Sequence, residues 1–116
     1  MPRRINQFTT GHNYHVYNRG ANRERIFFSE DNYLYLLKLV KKYCQKYLIT
    51  VIAYCLMPNH YHFLLRQDGE VTIAQFTGTL FNAYAQALNR QTGRSGALFE
   101  GRFKDVHVDD DAYLLH

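Results

Sequence analysis

Leu48-Ile49-Thr50-Val51-Ile52-Ala53-Tyr54-Cys55-Leu56 runs into Met57-Pro58-Asn59 and then into His60-Tyr61-His62-Phe63-Leu64-Leu65. Both flanks are rich in β-branched and aromatic residues, and the triplet between them interrupts the run. Two strands therefore follow one another with no helix between them. The first flank is almost continuously apolar, which predicts a central strand. This mid-chain pair of strands decides what the remaining elements can build.

Upstream, Ser29 takes an N-cap position ahead of Glu30 and Asp31, whose charges suit the first turn of a helix. Tyr33, Leu36, Leu37, Val40, Cys44 and Tyr47 recur at helical spacing, while most of the lysines fall elsewhere. Before that helix, residues 12–17 read as a strand closing at Asn18-Arg19-Gly20, followed by an arginine-bearing loop over residues 21–28. Downstream of the pair, Thr72 caps a second amphipathic helix with the stripe Ile73, Phe76, Leu80, Tyr84, Ala87 and Leu88. Gly78 inside it costs about 1 kcal/mol of helix propensity relative to Ala. Gly93-Arg94-Ser95-Gly96 ends this helix, residues 97–108 read as the last strand with a bulge at Gly101, and Asp109-Asp110-Asp111 opens a third helix cut off at His116. The order is β-α-β-β-α-β plus a truncated C-terminal helix. It predicts an α+β, ferredoxin-like fold: an antiparallel four-stranded sheet with two helices on one face and the other face open for a site.

Composition sets the class. The chain has 116 residues, 47% hydrophobic and 21% charged, with 16% Phe and Tyr and no linker, so a single domain over residues 1–116 is expected. Such aromatic content excludes a disordered tail. No apolar run approaches the roughly 20 residues of a membrane span. Cys44 and Cys55 form neither a disulfide framework nor a CxxC pair, and Met1-Pro2-Arg3-Arg4 lacks the apolar run of a signal peptide. A reducing, cytoplasmic location is expected. The net charge of +4 is compatible with a polyanionic partner, and the basic residues gather near both ends.

Chemistry concentrates in His60-Tyr61-His62. Side chains alternate along a strand, so the two imidazoles share one face while Tyr61 and Phe63 point to the other. Two imidazoles side by side can ligate one divalent metal, or simply be solvated. HExxH, HxE…PCxxC, a phosphate-binding glycine loop and GxSxG are all absent, which argues against zinc peptidase, zinc deaminase, nucleotide hydrolase and serine hydrolase chemistry. Arg19, Arg23 and Arg25 lie in or beside a loop where guanidinium groups reach phosphates or base edges. Arg102 and Lys104 alternate along the last strand and so share a face. Tyr14 and Tyr17 are candidates for stacking on unpaired bases. The bland alternative is a solvated basic surface with its aromatics in the core.

The run from Met57 to Leu65 resembles the His-hydrophobic-His (HUH) motif of IS200-like, Y1-type transposases, with Tyr61 in the bulky middle position. Tyr14-His15-Val16-Tyr17-Asn18-Arg19-Gly20, Ile26-Phe27 and Leu98-Phe99-Glu100-Gly101-Arg102-Phe103-Lys104 match in the same order. The pattern resembles the branch associated with repetitive extragenic palindromes (REP). The resemblance covers nearly the whole chain. It implies a ferredoxin-like fold, and cleavage and rejoining of single-stranded or hairpin DNA through a 5′-phosphotyrosine link. It also implies Mg²⁺ or Mn²⁺ held by His60 and His62; Asn18, in the first matching block, joins the candidates for DNA contact. Family members act as homodimers in the insertion-sequence branch and alone in the palindrome-associated branch.

In the family the nucleophilic tyrosine sits on a helix after the last strand. Tyr113 is the tyrosine found there in this chain. Three readings stay open. Tyr113 is the nucleophile; or the true nucleophile lies beyond His116, in a Tyr-Ile…Asn-Pro stretch this chain lacks; or Tyr113 packs beside Leu114 and Leu115 against the sheet. A chain without its nucleophile is a nucleic-acid-binding module of the same fold. An unrelated metal-dependent hydrolase using His60 and His62 is the remaining alternative.

Overall fold

A computed structural model describes residues 8–108. The strands are β1 (Asn13–Arg19), β2 (Ile49–Met57), β3 (His60–Gln67) and β4 (Lys104–Val108); the helices are α1 (Glu30–Tyr47) and α2 (Ile73–Thr92), with a short 3-10 turn at Ala21–Arg23. The sheet order is β2-β3-β1-β4, and every neighbouring pair is antiparallel. This is the expected α+β arrangement, with α1 and α2 on one face of the sheet. The expected third helix lies outside the described residues. Among them, no helix is long and apolar enough to cross a membrane.

The core forms where the inward-facing set of each strand meets the helices. Tyr14 and Val16 of β1 and Tyr61, Phe63 and Leu65 of β3 are buried against Phe76, Leu80, Phe81 and Tyr84 of α2 and Leu36, Leu39 and Val40 of α1. Tyr61 lies flat on Phe81, ring centroids 3.9 Å apart. Each such large apolar side chain, fully buried, stabilises the fold by about 1.5–3 kcal/mol. Tyr84 and Gln67, taken inside, are satisfied locally, while the buried Thr77 hydroxyl finds no partner among the described residues. The Tyr84 hydroxyl donates to the Ile26 carbonyl at 2.5 Å, and Gln67 accepts from the Ile73 amide at 3.0 Å while donating to the Gly69 carbonyl at 3.2 Å.

Several elements differ from expectation. β2 is an edge strand, not a central one; Ile52 and Tyr54 are 42% and 53% exposed. A continuous apolar run signals burial on both faces only where neighbours flank the strand on both sides, and here β1 and β3 take the middle. The last strand is limited to β4. Residues 97–103 are irregular, touching the sheet through an isolated bridge between Gly20 and Phe99, because Gly96 and Gly101 adopt left-handed φ of 90° and 86° that interrupt an extended run. In α1, Leu39 is buried where Leu37 was expected. Thr72 caps α2 as expected, accepting from the Gln75 amide at 3.1 Å. Ser29 holds the N-cap position of α1 without a side-chain bond. Buried Asn32 instead reaches back to the Phe28 amide at 2.8 Å and across to Gln91 at 3.0 Å.

Gly20 is where three distant segments converge. Its amide donates to the Asn59 carbonyl at 2.9 Å, and a Cβ there would lie 2.0 Å from the Glu24 carbonyl oxygen. Backbone cannot yield as a flexible side chain does. Gly20→Ala is therefore expected to destabilise the protein by about 1–3 kcal/mol through overpacking. Thermal melts of the two proteins check this, and an unchanged midpoint would contradict it.

Candidate functional site

β1 and β3 pair so that Arg19 faces His60, Tyr17 faces His62 and His15 faces Leu64, while Lys104 of β4 faces Tyr17 from the other side. Alternation puts these side chains on the face opposite the helices. Of these, Tyr17, Arg19, His60, His62 and Lys104 form the floor of a cleft of about 650 Å³ that Asn18, Arg23, Asn59 and Glu100 also line.

The turn joining β2 to β3 sets one end of the cleft. Pro58 and Asn59 form a two-residue loop in which neither takes a positive φ, so the turn is the unprimed kind that a proline at its first corner presets. Main-chain bonds fasten it. The Pro58 carbonyl accepts from the amides of Ile26 at 2.8 Å and Phe27 at 3.2 Å, and the Asn59 carbonyl accepts from Gly20. The Asn59 side chain continues the fastening: Nδ2 donates to the Arg23 carbonyl at 3.4 Å, which turns Oδ1 toward His60 Nδ1 at 2.8 Å. An amide oxygen only accepts, so His60 Nδ1 carries the proton and its Nε2 keeps a lone pair.

His62 is held differently. Its Nδ1 lies 3.0 Å from His15 Nε2, and its ring stands nearly perpendicular to that of His60 at 5.3 Å. Tyr17 stacks on both partners, at 4.9 Å from His15 and 5.5 Å from His62. Burial, followed by the charge of the neighbouring imidazole, holds His15 and His62 below the ordinary imidazole value. Both rings are thereby kept neutral, the form in which imidazole binds a metal. The donor set thus fits half of a divalent-cation site, and imidazole suits a softer ion better than Mg²⁺. Among the described residues, no third His, Cys, Asp or Glu completes a metal-holding group.

The cleft walls are basic. Arg19 forms a two-point ion pair with Glu100, at 2.8 and 3.1 Å. Arg19 first, then Lys104 and Arg23, hold the Glu100 carboxyl below its usual range, and Glu100 in turn raises Arg19. Arg23 and Lys104 form no ion pair among the described residues. Arg23 is carried by two successive left-handed residues, Asn22 at φ 57° and Arg23 at φ 60°.

A family model described as "Transposase IS200 like" matches residues 8–113. The chain belongs to that family. A solved REP-associated tyrosine transposase, described as bound to a REP hairpin, shares the fold at a TM-score of 0.74 and 13% identity, covering 100% of this chain and 67% of that one. A structure from Deinococcus radiodurans R1, also described as a transposase, matches at 0.68 and 16% identity, covering 98% of this chain and 92% of that one. No curated protein matches the sequence.

In this IS200-like transposase the structure gathers His60, His62, Tyr17, Asn18, Arg19, Arg23 and Lys104 around one cleft. It separates the others. Tyr14, expected to stack on bases, is 0% exposed: three residues from Tyr17, it points to the core, beside Phe8, with its hydroxyl accepting from the Thr9 amide at 2.6 Å. It has no face to offer a base. Arg25 turns back to donate to the Phe27 carbonyl at 3.1 Å. Arg102 precedes β4 and so does not share a face with Lys104; it borders a separate groove of about 730 Å³ along α2, where Arg102 is the one charged lining residue. Tyr113 lies outside the described residues. Three site residues had no role assigned from the sequence: His15, Asn59 and Glu100. The period-2 alternation that groups His60 with His62 would have found His15 beside Tyr17. Asn59 and Glu100 act through loop geometry that carries no periodic signal.

Keeping His15 and His62 neutral has a measurable consequence. The unfolded chain takes up protons on them near the ordinary value of 6.5 and the folded chain only below it. Stability is therefore complete above about pH 6.5 and falls as the pH drops beneath it. Thermal midpoints measured from pH 8 to 5 should show that fall, and a His15→Phe, His62→Gln double variant should lose much of it.

Proposed function

We propose that this transposase cleaves and rejoins single-stranded or hairpin DNA, with His60 and His62 holding Mg²⁺ or Mn²⁺ and Tyr113 as the nucleophile. The observation that carries the reading is the pair of imidazoles on the floor of a cation-lined cleft, with His60 Nε2 left as an acceptor by Asn59. A divalent cation held there would neutralise charge on the scissile phosphate. Arg23 and Lys104 bind flanking phosphates, and the exposed side of Tyr17 offers a surface on which an unpaired base stacks. The Tyr113 oxygen attacks phosphorus as the bond to the 3′-oxygen breaks. The proton lost by the tyrosine is balanced by the one the 3′-oxygen takes up, giving a 5′-phosphotyrosine and a free 3′-OH. Reversal rejoins the strand with no external energy, because the covalent link conserves the phosphodiester bond energy. A solved transposase of this fold is described as bound to a REP hairpin, which supports a hairpin as the substrate. The same reading has the protein working in the cytoplasm, alone or as a homodimer.

Incubation with a hairpin-bearing single strand and Mn²⁺ should yield a covalent protein–DNA adduct that survives denaturing electrophoresis. Tyr113→Phe should abolish it, and His60→Gln or His62→Gln should reduce it at least about 100-fold, the scale of losing a metal-assisted step. Hairpin binding without any adduct would instead identify a non-catalytic binding module, and an adduct persisting in Tyr113→Phe would exclude that tyrosine.

Arg23→Ala and Lys104→Ala should each weaken DNA binding and lower the salt dependence of the affinity by about one unit of slope, the signature of one lost phosphate contact. Binding isotherms over a range of salt concentrations measure this directly.

A further inference from the structure

His15 has no role in the reading above, yet it makes the closest polar contact of either HxH imidazole with another strand. His15 Nε2 and His62 Nδ1 are 3.0 Å apart across the β1–β3 pair, and the rings lie nearly parallel, 19° from coplanar orientation and 5.2 Å between centroids. Two ring nitrogens at that distance share one proton. If His15 donates it, His62 Nδ1 is the acceptor and the neutral ring must carry its own proton on Nε2. If His62 donates it, Nε2 is left bare. Only the second arrangement matches His60, whose Nε2 is left bare by Asn59.

We propose that His15 is a positioning residue for the metal site: its Nε2 accepts the Nδ1 proton of His62 and so fixes the tautomer in which His62 Nε2 is a ligand. This rests on the metal-site reading of His60 and His62. Each imidazole of the pair then has its own orienting partner, an amide oxygen from the turn for His60 and a third imidazole from β1 for His62. Orienting partners of metal-bound histidines work in this way, by setting ring angle and tautomer together. The location of His15 fits the task. It sits two residues from Tyr17 on the same face of a central strand, half-buried, with Tyr17 stacked on it, so its ring has little freedom to leave.

The test uses the full chain and two readouts. Long-range proton–nitrogen NMR of the metal-free protein at pH 8 should show His62 protonated on Nδ1 and bare on Nε2. A proton on His62 Nε2 overturns the proposal, whatever the protein does to DNA. Mn²⁺ affinity is then measured by electron paramagnetic resonance. His15→Phe keeps the stacking ring and removes the acceptor, and should weaken Mn²⁺ binding about 10–100-fold. His15→Gln, which restores an acceptor oxygen, should return the affinity to within a few-fold of wild type; its folding is verified by an unchanged sheet spectrum. Equal Mn²⁺ affinity in wild type and His15→Phe overturns the proposal. A wild-type protein that binds no Mn²⁺ overturns the metal reading itself, and the positioning role with it. A correct tautomer with weakened metal binding in His15→Phe supports the proposal even if no covalent adduct ever forms.

Discussion

Main-chain hydrogen bonds between the β2–β3 turn and the segment after β1 hold the site together. The carbonyls of Pro58 and Asn59 take the amides of Gly20, Ile26 and Phe27. A neighbouring pair of bonds, Ala21 to Leu98 and Glu100 to Arg19, draws in the chain ahead of β4. His60 sits directly after the turn, Arg23 lies between its anchors, and Glu100 is on the segment drawn in. Separating these strands of backbone would disperse the cleft, even with the sheet intact. Sheet pairing alone fixes the register of His62 and His15, but it does not reach the loops that supply the walls.

The two faces of the sheet divide the energetic work. On the helix side, aromatic rings and aliphatic chains fill the space, and the phenols that enter are heavily desolvated; burial pushes Tyr61 and Tyr84 well above the usual phenol value. Such tyrosines are structural, since a phenolate there would be strongly disfavoured. On the open side, rings are stacked but wet, charges are close, and two imidazoles are kept neutral. Tyr61 and its flanking histidines therefore live in opposite environments one residue apart, which the alternation of a strand permits and a helix would not.

The element order and the grouping of His60 with His62 were legible in the sequence because both follow from local periodicity. The same parity rule also separates Tyr14 from Tyr17, which a reading of aromatic content alone overlooks. Position within the sheet was not legible. The apolar composition of β2 states that the segment prefers an extended, dry surface, and says nothing about how many neighbours it has; it lies at the edge, with Ile52 and Tyr54 exposed. Parity also fails once a strand ends, as it does for Arg102, because Gly101 turns the chain through a left-handed residue before β4 begins. Arg19 and Glu100 find each other across 81 residues, a pairing that depends on where two loops close.

A seam made of peptide groups is indifferent to most side chains. Any residue presents an amide and a carbonyl, so sequence can drift along both borders while the join survives. The exceptions are few and of a different kind: a position with no room for a methyl group, and one whose missing amide hydrogen and fixed torsion shape a corner. Kinship in such a lineage is then carried by architecture more durably than by spelling, which accords with a shared fold at a TM-score of 0.74 alongside only 13% identical residues.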